Sequence, residues 1–340
     1  AFVFAGGAAT GRASSYGAQL HNMSRRVNKE PEATRQAMVR GHELVPKYGK
    51  RISDILRGML RPALIPEKGN VFVAFDWSAI EARMTPWISN EPAAEAVLNV
   101  FRENRDIYKR EAAGIYRIPE DQINDAQRQI GKVAILSLGF SGSVGAFNAM
   151  GRNYGIHMSE ADSQRIVDAW RRANTWAVNY WSKLENAYHR AMRNPLNEIS
   201  VGRVVYMYDR QHLWYALPSG RVLCYPNAKF ENDEITYSKA SWKPTADAKE
   251  WPRARLWKGL ATENITQAAA HDLLREAMRI LDKDGLKVIA HVHDEILIEC
   301  GEKEADAVYK RLHEVMVTPP NWAKNIPLAA AGKIMLRYGK

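Results

Sequence analysis

The chain contains little cysteine and no long apolar run. Its 340 residues include two cysteines, Cys224 and Cys300, which form no CxxC pair and offer no disulfide framework. A reducing, cytoplasmic setting is therefore expected. No apolar run approaches the length of a membrane-spanning helix, so the sequence predicts no membrane partner. Internal repeats are also absent, and the 46% of hydrophobic residues is typical of a globular protein.

The start of the chain lacks both a methionine and the basic segment of a signal peptide. We expect that the chain begins inside a longer protein. Predicted strands and helices follow one another without regular alternation, which favours an α+β fold. With 340 residues, the chain can bury a large core and form more than one lobe.

Positive charge exceeds negative charge. There are 48 Lys and Arg residues against 38 Asp and Glu residues, which gives a net charge of +10. An excess of this sign favours a polyanionic partner, either nucleic acid or an anionic membrane surface. Solubility alone also accounts for a surplus of this size, so the charge supports a nucleic-acid partner only modestly.

A buried strand that ends in an acid is predicted in the first quarter of the chain. The apolar run of residues 71–75 is typical of a strand, and Asp76 follows it at once. Taken alone, Asp76 also fits a solvated strand end. Ser78 and Glu81 have the spacing of a capping box, so the simpler interpretation of Glu81 by itself is that it starts a helix.

A predicted hairpin near the other end of the chain supplies further acids. Residues Val288–Val292 and 296–298 predict its two strands, and His293, Asp294 and Glu295 would lie at its tip. Two strand-end aspartates far apart in sequence are what a two-metal phosphoryl-transfer site requires. Together, the strand and the hairpin therefore indicate such a site.

A predicted helix over residues 128–140 carries a mixed face. Arg128, Lys132, Leu136 and Phe140 are four residues apart and therefore lie along one side. Two cations followed by two apolar groups suit a nucleotide, with the triphosphate at the cationic end and the sugar and base at the apolar end. An amphipathic helix with an exposed basic end explains the pattern equally well.

These segments and two others occur in an order that resembles the family A DNA polymerases, and most closely their phage and prophage branch. The matching segments are residues 10–15 with Gln19, His21 and Asn22, then 76–83, 128–140, Gln267 with Asp272, and 293–295. Any one of them is a weak or moderate signal. The ordered set extends over nearly the whole chain and is specific.

The resemblance implies an α+β right-hand polymerase in which the thumb is absent. The palm, with an antiparallel sheet, would consist of residues 1–100 and 257–340, and the fingers, with the hairpins that follow them, of residues 101–256. In the family, the thumb and an exonuclease domain precede the segment that matches residues 10–15. The chain is therefore expected to be a C-terminal part of a longer polymerase.

The resemblance also implies a reaction, namely DNA-templated addition of deoxynucleotides to a primer 3′-hydroxyl with release of pyrophosphate. The setting would be phage or prophage DNA replication in the cytoplasm of a bacterial host. The expected partners are primer–template DNA, dNTPs and two Mg²⁺ ions, with Mn²⁺ as an alternative ion. A monomer is expected, with other replication proteins as further partners.

The family's functional residues transfer to matching positions of this sequence. Asp76, Asp294 and the backbone carbonyl of Trp77 would bind the metal ions, and Glu295 would be a secondary acid. Arg128 and Lys132 would bind the triphosphate, and Lys132 would also act as general acid. Glu81 would be the gate against ribose, and Leu136 and Phe140 would contact the nucleotide. The DNA contacts would be Arg12, Gln19, Asn22, Gln267 and His293.

Some positions depart from the family pattern. Leu136 stands where an aromatic side chain usually faces the sugar, which predicts an altered rate and altered discrimination against chain terminators with catalysis retained. Phe140 replaces a tyrosine, and Glu263 replaces an asparagine close to Gln267, which weakens the expected minor-groove role there. Gly131 inside the predicted helix costs about 1 kcal/mol relative to alanine and indicates close packing or bending.

Two other functions fit parts of the sequence. His291 and His293, placed on one side of a strand, would with Asp294 ligate zinc in a metal-dependent nuclease or hydrolase, although a third His or Cys ligand is not evident. A non-catalytic DNA-binding remnant is the second alternative. Primer extension separates the three functions, because a nuclease would shorten DNA and a remnant would only bind it.

Overall fold

A computed structural model describes residues 2–3, 6–7, 9–15, 17, 19–24, 26–41, 43–239 and 251–339. Residues 240–250 of the predicted hairpin region lie outside the described residues. The described α-helices are α1 (Pro31–Arg40), α2 (Leu44–Tyr48), α3 (Ile52–Arg57), α4 (Ile80–Ser89), α5 (Glu95–Arg102), α6 (Ile107–Tyr116), α7 (Asp125–Leu138), α8 (Val144–Asn153), α9 (Glu160–Ala173), α10 (Thr175–Arg193), α11 (Lys258–Lys283) and α12 (Ala305–Val317). None of these helices combines the length and the apolar character needed to cross a membrane.

The strands alternate with the helices in blocks, and the predicted α+β class is confirmed. The described strands are β1 (Phe2–Val3), β2 (Ser14–Ser15), β3 (Asn70–Trp77), β4 (Ile199–Val201), β5 (Val204–Tyr208), β6 (Leu213–Ala216), β7 (Val222–Tyr225), β8 (Lys229–Glu231), β9 (Glu234–Ser238), β10 (Arg253–Leu256), β11 (Val288–Val292), β12 (Glu295–Gly301) and β13 (Ala330–Met335). All pairings among them are antiparallel.

The central sheet has the strand order β11–β12–β3–β13. The predicted strand and the predicted hairpin are therefore confirmed as neighbours in one sheet. The sequence predicted that Glu295 lies at the hairpin tip, and this was wrong. Glu295 is the first residue of β12 and pairs with Asp76. The reason is a two-residue turn, since Val292 pairs directly with Glu295.

Both faces of the central sheet are covered, because alternate residues point to opposite sides. Val73 and Phe75 of β3 belong to a large core that also includes side chains of α11 and α12. Phe72 and Ala74 belong to a smaller core on the opposite face, which contains Tyr338. The sheet thus packs against buried side chains on both faces.

A helical unit with its own core is built from α5 to α9 and the first turns of α10. Its buried residues include Val133 of α7 and Trp176 and Trp181 of α10. Further along α10, Tyr188 joins the core of the sheet instead, together with buried side chains of β4–β7 and β9. The strands that follow α10 therefore share their core with the central sheet. The division of the chain into palm and fingers stays a prediction.

Candidate active site

The two predicted aspartates meet at one end of the central sheet. The pairing of β3 with β12 brings the end of one strand beside the start of the other, and the backbone N–H of Trp77 donates to the carbonyl oxygen of Asp294 at 3.2 Å. Asp76, Trp77 and Asp294 border a cleft with a volume of about 520 Å³. Antiparallel register thus places acids from distant parts of the sequence at one opening.

His293, the residue before Asp294, stabilises the hairpin turn. His293 adopts a positive φ of 58°, which suits a two-residue hairpin turn of the primed type but is uncommon for a side chain larger than glycine. Its Nε2 lies 3.0 Å from the carbonyl oxygen of His21, and a carbonyl oxygen can only accept, so Nε2 carries the proton. Nδ1 is then the acceptor for Nη2 of Arg12 at 3.3 Å.

The donor set at this end of the sheet fits a hard divalent cation. Asp76 and Asp294 offer carboxylate oxygens to one cleft, and Mg²⁺ is usually bound by one or two carboxylates together with substrate phosphates. In the described part of the chain, no group of three or more His, Cys, Asp or Glu side chains is arranged to hold a metal ion. The zinc alternative placed His291 and His293 on one side of a strand, whereas His293 lies in the turn that follows β11.

Several histidines near the site remain uncharged at neutral pH. Burial, reinforced by the neighbouring His293 and by the positive charge of Arg12, lowers the pKa of His21 to about 4. Burial also lowers the pKa of His291 to about 4, and its ring lies 5.4 Å from that of His21. These rings therefore pack behind the hairpin without bringing further positive charge to the acids.

The nucleotide-binding residues predicted on α7 fall into two groups. Leu136 and Phe140 line the cleft. The sequence predicted a helix over residues 128–140, but α7 ends at Leu138, so Phe140 lies just beyond the helix. Arg128 and Lys132 are outside the lining. The Arg128 guanidinium is ion-paired with Asp106 at 2.6 Å.

Lys132 is held between two aromatic rings. Its ammonium lies 4.7 Å from the ring centroid of Tyr154 and 5.8 Å from that of Tyr108, which favours a cation–π interaction. In this conformation the cations of α7 are therefore satisfied by the protein itself.

Gly131 lies where α7 packs against α6. A side chain at this position would place its Cβ 2.2 Å from the carbonyl oxygen of Tyr108 and 2.9 Å from the backbone nitrogen of Ala112. Of the two explanations left open by the sequence, close packing is the correct one. The glycine allows α7 to lie directly against the backbone of α6.

Glu81 and Gln267 face the same cleft from α4 and α11. Burial raises the pKa of the Glu81 carboxyl, the positive charge of Arg12 opposes that rise, and the charge of Glu263 adds to it. Nε2 of Gln267 donates to Oε1 of Glu263 at 3.3 Å. Glu263, which stands where the family resemblance predicts an asparagine, therefore adds a negative charge here and gives Gln267 an intramolecular partner.

Gln19 and Asn22 lie apart from these groups. Nδ2 of Asn22 donates to Oε1 of Gln19 at 2.8 Å in an exposed pair, and neither is among the described residues that line the cleft. Arg12, His293 and Gln267 do line it. Of the five predicted DNA contacts, three thus converge on the acids and two lie outside the cleft.

Arg221 is a supporting residue that the sequence did not reveal. Its guanidinium is ion-paired with the buried Asp272 at 2.6 Å and donates to the carbonyl oxygens of Thr10 and Ala268 at 3.0 and 2.8 Å. It therefore ties the segment that carries Arg12 to α11. A single arginine between two short strands has no motif around it, and only the tertiary contacts identify it.

An antiparallel sheet with two aspartates at one end, bordering a cleft shared with a helical unit, is the architecture that the resemblance to a right-hand polymerase implies. The fold resembles that of a solved structure described as the POL domain of Pol1 from M. smegmatis in complex with DNA primer-template and dNTP. The TM-score is 0.61 at 18% sequence identity, over 97% of this chain and 46% of that chain.

Sequence comparison identifies the family. The model of DNA polymerase family A matches residues 3–340, and the chain belongs to that family. It is 33% identical to the DNA polymerase of Bacillus phage SP02 over 99% of this chain and 52% of the relative. It is 24% identical to the thermostable DNA polymerase I of Thermus aquaticus over 76% of this chain and 26% of the relative. The chain thus spans about half the length of the phage relative and less of the bacterial one.

Proposed function

We propose that this chain is the catalytic core of a DNA-templated DNA polymerase that extends a primer 3′-hydroxyl with deoxynucleotides. The observation that carries the proposal is the convergence of Asp76 and Asp294 at a cleft that Leu136 and Phe140 of the α7 region also line. Membership of DNA polymerase family A supports the same reaction. The similarity to a phage polymerase supports a role in DNA replication in the cytoplasm of a bacterial host.

The carboxylates of Asp76 and Asp294, with the backbone carbonyl of Trp77, would bind two Mg²⁺ ions, and Mn²⁺ is an alternative. Bound Mg²⁺ would supply Lewis-acid chemistry, lowering the pKa of the primer hydroxyl and offsetting the charge of the leaving pyrophosphate. Glu295 would act from behind Asp76 as a secondary acid. This division fits its burial in β12, where its side chain is 3% exposed.

Arg128 and Lys132 would bind the triphosphate of the incoming nucleotide. To do so, Arg128 exchanges its ion pair with Asp106 for phosphate oxygens, and Lys132 leaves the rings of Tyr108 and Tyr154. Lys132 would then donate a proton to the leaving pyrophosphate. For Lys132, phosphate offers charge-assisted hydrogen bonds that are stronger than its contacts with the two rings.

Primer–template DNA would enter along the side of the cleft that carries Arg12, Gln267 and His293. These side chains would contact the primer terminus and the minor groove, while Gln19 and Asn22 would contact DNA outside the cleft. Minor-groove acceptors are similar for all base pairs, so such contacts test the shape of a pair without reading sequence. The solved relative was bound to primer-template and dNTP, and we propose the same ligands here, for a monomer that works with other replication proteins.

The decisive experiment is primer extension on a primed DNA template with Mg²⁺ and dNTPs. We expect templated extension by the parent chain and its loss in Asp294→Asn and Asp76→Asn. Asp121→Asn, at an exposed acid of the helical unit, is the matched control and should extend as the parent does. Shortening of the primer would instead indicate the nuclease alternative. Duplex binding without extension would indicate a non-catalytic remnant or the need for a further segment.

Substrate choice is tested at Glu81. If this side chain occupies the space of a ribose 2′-hydroxyl, Glu81→Ala should raise ribonucleotide incorporation relative to deoxynucleotide incorporation by about tenfold, which corresponds to about 1.4 kcal/mol. The exposed Glu103→Ala provides a control for loss of an acid. An unchanged ratio in Glu81→Ala would remove the sugar-gate role and leave the polymerase proposal intact.

A further inference from the structure

A second, smaller cavity borders the acidic end of the central sheet. Its volume is about 260 Å³, and Asp76, Glu295 and Tyr338 are among its lining residues. Asp76 borders both this cavity and the cleft, whereas Glu295 is not among the described residues that line the cleft. Both acids therefore border the second cavity, and Asp76 alone of the two also borders the cleft.

Asp76 and Glu295 are directly opposite each other on β3 and β12. Side chains at such paired positions lie on the same face, with Cβ atoms about 5 Å apart, and like charges there are destabilising. The pairing itself does not determine whether the Glu295 carboxylate points toward the cleft, so its direction depends on its side-chain contacts.

Tyr338 provides one such contact. Its hydroxyl donates to Oε1 of Glu295 at 2.5 Å, and the ring is 1% exposed. Burial, followed by the charge of Glu295, raises the pKa of the Tyr338 hydroxyl, so the hydroxyl keeps its proton and remains a donor. Glu295 is thus engaged on the side of the sheet where the second cavity lies.

Arg61 fixes the hydroxyl in turn. Its Nη1 donates to the hydroxyl oxygen of Tyr338 at 3.1 Å, and its guanidinium lies 5.1 Å from the ring centroid. Arg61 is 2% exposed, and a buried cation is stable only when it is compensated. Because Arg61 occupies one lone pair of the oxygen, the single hydroxyl proton is directed to Glu295. The series Arg61, Tyr338 and Glu295 is an ordered chain of donors ending at the acid beside Asp76.

We propose that Arg61 and Tyr338 are positioning residues that hold the Glu295 carboxylate out of the cleft. Asp76 and Asp294 then bind the divalent cations without a third carboxylate. The inference rests on the proposed function for its biological meaning, but its physical content is a statement about cation binding by the folded chain. An added carboxylate would bind the ions more tightly and oppose the negatively charged nucleotide.

The test is direct titration of Mn²⁺ in the absence of DNA and nucleotide, with free Mn²⁺ measured by electron paramagnetic resonance. We expect Tyr338→Phe to lower the Kd for Mn²⁺ by about tenfold, since affinity rises with the number of charged ligands. Tyr309→Phe, which removes a different hydroxyl beside the same sheet, should leave the Kd unchanged. A Kd in Tyr338→Phe equal to that of the parent would overturn the proposal, even if the variant were less stable.

A double substitution separates positioning from a general loss of packing. In a Glu295→Gln background, Tyr338→Phe should no longer change the Kd, because the carboxylate that it releases is absent. A persistent change would show that Tyr338 acts through something other than Glu295, and would also overturn the proposal. Asp294→Asn removes a proposed ligand, so weaker Mn²⁺ binding in this variant assigns the measured ion to the cleft. If primer extension fails in the parent, only the proposed function is affected, and the Mn²⁺ titrations still decide the role of Tyr338.

Discussion

The Nη2 atom of Arg12 lies 3.3 Å from Nδ1 of His293, which joins the first segment of the chain to the turn that carries Asp294. Because Nε2 of His293 donates to the carbonyl oxygen of His21, the imidazole is fixed as an acceptor toward Arg12. The guanidinium is therefore held at the cleft, where its charge also acts on Glu81. One arginine thus links the hairpin turn to the proposed sugar gate.

We predict that Arg12→Ala lowers kcat/KM for primer extension by about 10- to 100-fold, the equivalent of the 1.5–3 kcal/mol typical of a hydrogen bond that involves a charged group. Single-turnover extension of one nucleotide at varied primer concentration measures the effect. Arg279→Ala, which removes an exposed arginine paired with Glu276 on α11, is the control. Equal efficiencies for Arg12→Ala and the parent would show that Arg12 has no part in holding the primer.

Leu136→Phe tests the departure from the family pattern on α7. Leu136 is 41% exposed at the cleft, so a larger ring can be accommodated without disturbing a core. A ring stacked on the sugar should change the rate of incorporation, and the ratio of dideoxynucleotide to deoxynucleotide use, by about two- to tenfold, since aromatic contacts contribute roughly 0.5–1.5 kcal/mol. Leu196→Phe, at an exposed position 56% accessible to solvent, is the control. Identical kinetics and identical terminator use would contradict the prediction.

The sheet and its acids could be predicted from the sequence because their signals are local. The apolar run before Asp76 and the two runs around residues 293 and 294 each specify a strand, and the short connection specifies a hairpin. The prediction placed Glu295 in the turn, whereas it is the first residue of β12. Apolar periodicity does not give the length of a turn. The side to which its carboxylate points depends on Tyr338 and Arg61, which are distant in sequence.

Other features depend on contacts that no local pattern encodes. The spacing of Arg128, Lys132 and Leu136 places them on α7, but it does not encode the ion pair of Arg128 with Asp106 or the end of the helix at Leu138. The strands after α10 contain turn formers and aromatics, which predicted hairpins but not the core that they would share. Packing partners of this kind become visible only when the whole chain is folded.

We predict that Gly131→Ala destabilises the protein although alanine is the better helix former. The methyl group would meet the backbone of Tyr108 and Ala112, and overpacking of this kind typically costs about 1–3 kcal/mol. Gly145→Ala is the matched control, since nothing lies within 4 Å of the corresponding Cβ on α8, and it should be neutral or stabilising. Urea unfolding measures both. If Gly131→Ala were as stable as the parent, the close packing of α7 on α6 would be disproved.

The last prediction concerns acid stability and His271. This side chain is 5% exposed on α11. Burial, reinforced by the positive charge of Arg221 and by His291, lowers its pKa from the ordinary value of 6.5 to about 3. As the pH falls below 6.5, the unfolded chain therefore binds a proton that the folded chain does not. The free energy of unfolding must decrease with falling pH until the folded histidine titrates as well, and below about pH 3 this residue makes no further difference.

His271→Leu should remove this contribution. Between about pH 4 and pH 6, the slope of the free energy of unfolding against pH should become shallower by about 1.4 kcal/mol per pH unit, the value for one proton. The slope will not vanish, because burial also lowers the pKa of His21 and of His291. His157→Leu, at an exposed histidine, is the control and should leave the slope unchanged. Urea unfolding across this range measures it, and parallel curves for His271→Leu and the parent would mean that His271 is accessible to protons in the folded protein.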